Sequence, residues 1–411
     1  MTRASRRVGI IVGCLTFFVG SVTFGQDWPQ WRGPNRDAKA TGFAAPQTWP
    51  KSLTQKWKVK VGDGVATPAL VGDKLYVFAR RDGDEVACCL DATTGKELWT
   101  DKYAVKGASG PASQFPGPRS SPTVADGRVV TLGVRGTLSC LDAASGKKLW
   151  RKTEAEDSLP RFFTSCSPIV VDGLCIVQFG GEEKGGIVAY DFASGDEKWK
   201  WTGDGTAYAS PDLLTMDGVK MLVAMTAKNI VGLGTTDGKL LWEIPFFVRG
   251  MGGYNAATPI VDGQTIYISG SFRGTRALKI EKQGDRYTAK ELWENKEFSV
   301  QFDTPVLKNG LLYGISSRNF LFCINAETGK TAWPPDRVRG ERGYGSVVDV
   351  GPVLLALTTN GQLLVFEPSD KQLKKVATYK VAEDDTYAYP VAAGIRLYIK
   401  DLDSVILWTV D

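Results

Sequence analysis

Leu90-Asp91-Ala92-Thr93-Thr94-Gly95-Lys96-Glu97-Leu98-Trp99 decides the fold, because the pattern returns at 141–150, 190–199, 233–242 and 324–333. Each copy has Gly at its sixth place and Trp at its tenth. Strand-forming residues flank a turn whose Gly supplies φ > 0, so each copy reads as two antiparallel strands, C and D, joined by a tight turn. A second pattern precedes each copy. Thr67-Pro68, Ser121-Pro122, Ser167-Pro168, Ser210-Pro211, Thr258-Pro259 and Thr304-Pro305 each lead into a short apolar run, a Gly-containing turn and another run. Asp-Gly and Asn-Gly between β-rich runs are strong hairpin signals, and Pro is tolerated where a strand begins. These runs are strands A and B.

Two degenerate units follow, one starting at Ser346-Val347 and one at Tyr389-Pro390, and the last ends at Asp411 after three strands. The missing strand is found at the other end of the chain. Leu53, Gln55, Trp57, Val59 and Val61 alternate with Thr54 and three lysines, and Trp57 precedes Trp99 by 42 residues. Period-two alternation marks a half-buried strand, and Lys suits a sheet edge. Units that cannot bury their apolar faces alone must stack on neighbours. The expected fold is an all-β, eight-bladed propeller of four-stranded antiparallel blades over residues 53–411, closed by the N-terminal strand completing the last blade.

Residues 1–25 read as a signal peptide: Arg3, Arg6 and Arg7, an apolar stretch from Val8 to Val22, then small residues before Gln26. Residues 26–52 form a leader segment. No later segment is long and apolar enough to span a membrane. Removing the signal takes the net charge from +5 to 5 − 3 = +2, which carries no nucleic-acid signature. The expected mature chain is an exported monomer of the periplasm or cell envelope. Of its six cysteines, Cys89, Cys140 and Cys323 share one repeat position and read as small buried fillers. Cys166 and Cys175 lie on neighbouring strands, but a turn at Asp172-Gly173 sets Val170 opposite Cys175.

The Asp-x-x-Thr-Gly-Lys-x-x-Trp element resembles the tryptophan-docking repeat of the quinoprotein-type (PQQ-like) eight-bladed propellers. The segment Asp27-Trp28-Pro29-Gln30-Trp31-Arg32-Gly33-Pro34 resembles the leader of exported proteins of that type. The family includes PQQ-dependent alcohol dehydrogenases and the cofactor-free outer-membrane assembly lipoprotein BamB. The resemblance implies that Trp57, Trp99, Trp150, Trp199, Trp242, Trp293 and Trp333 dock blade on blade. It also raises PQQ with calcium as a cofactor, and a redox role for Cys88-Cys89 as an adjacent pair, although the shared repeat position explains Cys89 as filler.

The chain has no His, which removes the commonest base, the commonest metal ligand and every Ser-His or Cys-His pair. No CxxC and no phosphate-binding Gly loop is present, so neither a catalytic residue nor a metal site is expected. In an A–D meander the D–A and B–C loops share one face, and 12 of the 18 Arg outside the signal fall in them. The residues three before each strand-A Pro (or Val347) are Val65, Arg119, Ser165, Tyr208, Ala256, Phe302, Tyr344 and Tyr387. They should ring the channel mouth. The candidate ligand-binding residues on this face are Arg119, Tyr208, Tyr254, Phe302, Arg318, Arg342, Tyr344 and Tyr387, because guanidinium forks suit anions and aromatic faces suit planar or sugar-like groups. The bland alternative has these arginines ordering loops and pairing with acids such as Glu182, Glu183, Asp384 and Asp385. The expected function is an exported, non-catalytic propeller binding a protein or an anionic or glycan ligand on this face. The alternatives are a PQQ-dependent dehydrogenase, or a carboxylate enzyme acting on glycans through a pair such as Asp303 and Asp384.

Overall fold

The computed structural model describes residues 27–153, 158–181, 183–247, 254–284, 286–341 and 343–411. The expected signal peptide lies outside them. Eight four-stranded antiparallel sheets stand around one axis. Blade 1 runs outward through Ala69–Val71, Lys74–Arg81, Asp84–Asp91 and Glu97–Ala104. Blades 2 to 7 follow in chain order. Blade 8 takes Val391–Ala393, Arg396–Lys400 and Ser404–Thr409 from the C-terminus and its outermost strand, Thr54–Lys60, from the N-terminus. Closure thereby pairs the two ends of the chain and leaves no open edge between first and last blades.

The tryptophans explain how the blades are spaced. Trp57 Nε1 donates to the Thr93 carbonyl in the C–D turn of the next blade. Trp99 does the same to Ala143, Trp150 to Phe192, Trp199 to Thr235, Trp293 to Ala326 and Trp333 to Ser369. The turn glycine lies flat against the indole: a Cβ on Gly146, whose φ is +73°, would fall 2.4 Å from the Trp99 ring. Gly is thus required twice, for the left-handed turn and for the close approach. Within its own sheet Trp99 faces Cys89, Trp150 faces Cys140, Trp199 faces Ala189, Trp242 faces Gly232 and Trp293 faces Ala277, whereas Trp57 faces Leu407. The register slips by one directly after each of these pairs. All six described cysteines are buried free thiols, and Val170 pairs with Cys175 as the turn geometry requires.

Blade 5 departs from the pattern. Its strands Thr275–Gln283 and Arg286–Asn295 form a long hairpin in place of the Gly turn. Trp242 packs against Ile280 and Tyr287 of that hairpin, and its Nε1 has no hydrogen-bond partner among the described residues. A hydroxyl belt links the blades near the axis. Thr67 N–H donates to Ser121 Oγ, Ser121 to Ser167, Ser167 to Ser210, Thr258 to Thr304 and Tyr389 to Thr67. These are the Ser/Thr residues that precede the strand-A prolines, so the belt gives them a structural role the sequence reading had not assigned.

The leader fills the axis from the A–B turn face. Trp28 bridges to Leu70 and is fully buried. Arg32 donates to the Pro305 carbonyl, and Arg36 to those of Pro211 and Pro168. Two guanidinium groups thus satisfy strand-A carbonyls from three blades. The chain then leaves along the turns of blades 7 and 8 through bridges Lys39–Asp349 and Phe43–Gly394.

Two glycine substitutions isolate the docking contact. Gly127→Ala, where φ is +71° and nothing lies within 4 Å of the added Cβ, is expected to cost only the left-handed strain of about 1–2 kcal/mol. Gly146→Ala should cost that plus overpacking of about 1–3 kcal/mol, read as the difference in urea-unfolding free energy. Equal losses would mean that the indole contact contributes nothing.

Candidate functional site

All eight residues three before the strand-A prolines, Val65, Arg119, Ser165, Tyr208, Ala256, Phe302, Tyr344 and Tyr387, line one cavity of about 280 Å³ on the D–A and B–C face. The constant offset from Pro puts each at the same height in its blade, and the ring follows from the propeller axis. Tyr254 joins them. Three further parts were not read from the sequence: Phe115 with its short 3₁₀ turn at Gly110–Ala112, Phe162, and Glu341. They lie in irregular D–A loops, where no period marks them. Trp31 of the leader also lines the cavity. Its Nε1 donates to Thr258 Oγ1 at 2.9 Å, and its ring meets Tyr389 edge-on at 5.0 Å.

The aromatic rings form a continuous chain. Phe162 meets Tyr208 and Tyr254, Tyr254 meets Phe302, Phe302 meets Tyr344, Tyr344 meets Tyr387, and Tyr387 meets Phe115, with centroids 4.1–6.0 Å apart. Phe302 is sandwiched between Tyr254 at 24° and Tyr344 at 16°. Both of its faces are covered, so only its electropositive edge is left for the cavity.

Arg119 is held by the Ala112 and Phe115 carbonyls, and its Nη1 has no hydrogen-bond partner among the described residues. Burial lowers its pKa to about 10, so it stays charged at neutral pH. Two carboxyls oppose it. Asp303 Oδ2 accepts the Gly345 N–H at 2.8 Å, and burial lifts this group to about 6. Glu341 accepts the Tyr387 hydroxyl.

Elsewhere on this face the arginines are fastened mostly by carbonyls. Arg80 donates to Val105, Arg135 to Lys106, Arg318 to Glu297 and Arg273 to Phe246 and Tyr254. Only Arg81 and Arg276 pair with acids, Glu97 and the couple Glu291 and Glu294. The described arginines therefore do order loops, but through backbone oxygens, so most of their charge has no ion pair among the described residues. Arg318 is exposed on its B–C loop and does not line the cavity. Arg342 and Glu182 lie outside the described residues. Asp384 is also apart from the cavity: it sits with Asp401 and Asp403, so the pairing of Asp303 with Asp384 does not form.

The cavity residues do not match PQQ and calcium. PQQ carries three carboxylates, whereas the wall sets one guanidinium against two carboxyls. Among the described residues the three acids close enough to share a metal ion are Asp384, Asp401 and Asp403. Asp401 and Asp403 are already held by Lys58 and Lys60 at 3.0 Å. Cys88 and Cys89 are buried strand residues pushed up to about 12 by desolvation, which leaves no thiolate for redox chemistry at neutral pH.

The family described as outer membrane protein assembly factor BamB matches residues 45–202 and 89–334 of this chain. The outer membrane protein assembly factor BamB of Burkholderia pseudomallei is 24% identical over 85% of this chain and 86% of its own length. Quinohemoprotein alcohol dehydrogenase of Comamonas testosteroni is 30% identical over 33% of this chain and 19% of its own. The crystal structure of BamB from Moraxella catarrhalis superposes with a TM-score of 0.64 at 17% identity, covering 87% of this chain and 97% of that one, which shows a shared fold.

The Asp303 carboxyl gives a pH signature. Its folded pKa of about 6 lies above the ordinary 3.8, so the fold favours the protonated form. Stability is unaffected by this group below about pH 4 and falls as pH rises through 6. Asp303→Asn should remove that loss, so that between pH 4 and pH 7 the variant loses on the order of 3 kcal/mol less than the parent in urea unfolding. Parallel profiles would contradict the buried-carboxyl assignment.

Proposed function

The chain belongs to the family of outer membrane protein assembly factor BamB, and from that premise we propose that it is an exported, non-catalytic propeller that holds a partner protein of the cell envelope against its arginine- and aromatic-rich face. The first 25 residues serve as the export signal, residues 26–52 as the leader that closes the axis, and residues 53–411 as the propeller. The single observation that carries the reading is the state of the arginines. Arg80, Arg119, Arg135 and Arg318, at the cavity and on its face, are fixed in place by backbone carbonyls and have no ion pair with a described residue, although Arg81 and Arg276 on the same face do pair with acids. On the turn-bearing side and the blade flanks Lys220, Lys308 and Lys375 are ion-paired with Asp172, Asp349 and Asp336, while the turn lysines Lys96, Lys147, Lys239 and Lys330 are flexible point charges rather than guanidinium forks fixed by carbonyls. Preset, unpaired guanidinium groups around a rigid aromatic centre favour an acidic protein surface. Loops on a propeller can carry such a surface without disturbing the blades. No helix among the described residues is long and apolar enough to cross a membrane.

Co-purification from detergent-solubilised envelopes tests the face. The triple substitution Arg318→Glu, Arg337→Glu and Arg339→Glu should abolish recovery of the partner, whereas Lys147→Glu with Lys239→Glu on the turn side should leave it intact. Retention in both would overturn the reading. Calorimetric titration with PQQ and calcium is expected to give no calcium-dependent binding, because one arginine cannot balance three carboxylates beside two of the protein's own. Tight binding would instead make the chain a quinoprotein.

A further inference from the structure

We propose that the cavity is a socket for one aromatic side chain of an acidic segment of the partner protein, and that Trp31 of the leader builds its floor. This rests on the reading of the face as a protein-binding surface and adds what enters it. Four observations narrow the occupant. A cavity of about 280 Å³ lies at the bottom of the range for small-ligand pockets, about 300–1,000 Å³, and is suited to a single ring. Eight of the 18 wall residues are aromatic. At Phe302 both ring faces are spent on Tyr254 and Tyr344, leaving an edge that attracts the face of another ring. Arg119 adds a cation, which also favours a ring face.

Asp303 and Glu341 supply the fourth observation. They make the interior hostile to a carboxylate, so the group that enters is neutral. Apart from Arg119, the unpaired positive charge lies outside it. Arg161, Arg318 and Arg339 are exposed on the surrounding loops and Arg337 on a short outer strand, and none has an ion pair with a described residue. Acidic residues therefore belong on either side of the inserted ring, where they meet the rim. A buried aromatic anchor within a polar rim is the usual form of an energetic centre in protein interfaces.

The leader makes the socket blind. Trp28, Arg32 and Arg36 fill the axis beneath it, and the Trp31 ring is fixed by Thr258 and Tyr389. Without it the aromatic ring would open into the hydroxyl-lined channel, and an inserted side chain would lose its base. Trp31 is thus a positioning residue of the site although it lies outside every repeat.

Fluorescence anisotropy with the full mature chain tests this. The probe is fluorescein-labelled Asp-Glu-Gly-Trp-Gly-Glu-Asp, compared with the same peptide carrying Ala for Trp and with one carrying Lys for every acid. Each replacement should weaken binding about tenfold or more. Ala256→Trp, which fills the socket from its own wall, should abolish the difference between the Trp and Ala peptides while leaving the rim intact, and Trp31→Ala should weaken the Trp peptide alone. Equal affinity of the Trp and Ala peptides for the unmodified chain overturns the proposal even if a variant fails to fold, as does no binding of any peptide up to about 1 mM. Co-purification separates the two levels. A partner retained by Ala256→Trp but lost with Arg318→Glu, Arg337→Glu and Arg339→Glu together sinks the socket and leaves the binding face standing. A partner retained by both sinks the face itself.

Discussion

At five of the eight junctions a docking indole lies against the turn glycine of the next blade, and this contact sets the spacing of the blades it joins. An indole is rigid, and its N–H must reach one particular carbonyl, so distance and tilt between adjacent sheets are both constrained. The ring itself is closed by the pairing of the chain's two ends in blade 8, while at these junctions that constraint fixes the spacing of neighbouring sheets. The partners of the indole follow from it. A Cβ on the glycine would collide with the ring, and the residue facing the Trp within its sheet is Cys, Ala or Gly in blades 1 to 5. Blade 5 shows what happens without the turn: the long hairpin covers Trp242 with apolar side chains, and the N–H goes without a described partner.

The axis poses a separate problem. Eight inner strands leave carbonyls and hydroxyls facing a narrow channel, and buried polar groups need partners. The Ser/Thr belt meets part of that need from within the propeller. The leader meets more of it with Arg32 and Arg36, whose planar forks reach carbonyls on three blades. The cost is visible in the titration of nearby groups: burial lowers Arg36 to about 10 and lifts Asp212 to about 7. The leader therefore belongs to the folded unit, and the cavity has a floor only because this segment is in place.

The candidate site shows where reading a sequence works and where it stops. Counting three back from each strand-A Pro located eight wall residues, since a fixed offset in a repeat is a fixed height in the ring. Phe115, Phe162 and Glu341 escaped because their loops have no common length or pattern. Trp31 escaped because its partners Thr258 and Tyr389 are more than two hundred residues away in sequence. Arg318 fell on the correct face but outside the cavity, because its guanidinium is drawn to the Glu297 carbonyl.

By itself the sequence determined the fold class, the number of blades, the strand that closes them and which loops share a face. All of these follow from period, turn chemistry and strand alternation, which are local. Only the tertiary structure decided that the leader fills the axis, that the channel ends in a blind aromatic cavity, and that the arginines around it hold backbone carbonyls rather than acids. Each of those outcomes depends on contacts between segments far apart in the chain, where a side chain's partner is chosen by proximity and desolvation and leaves no spacing to be read.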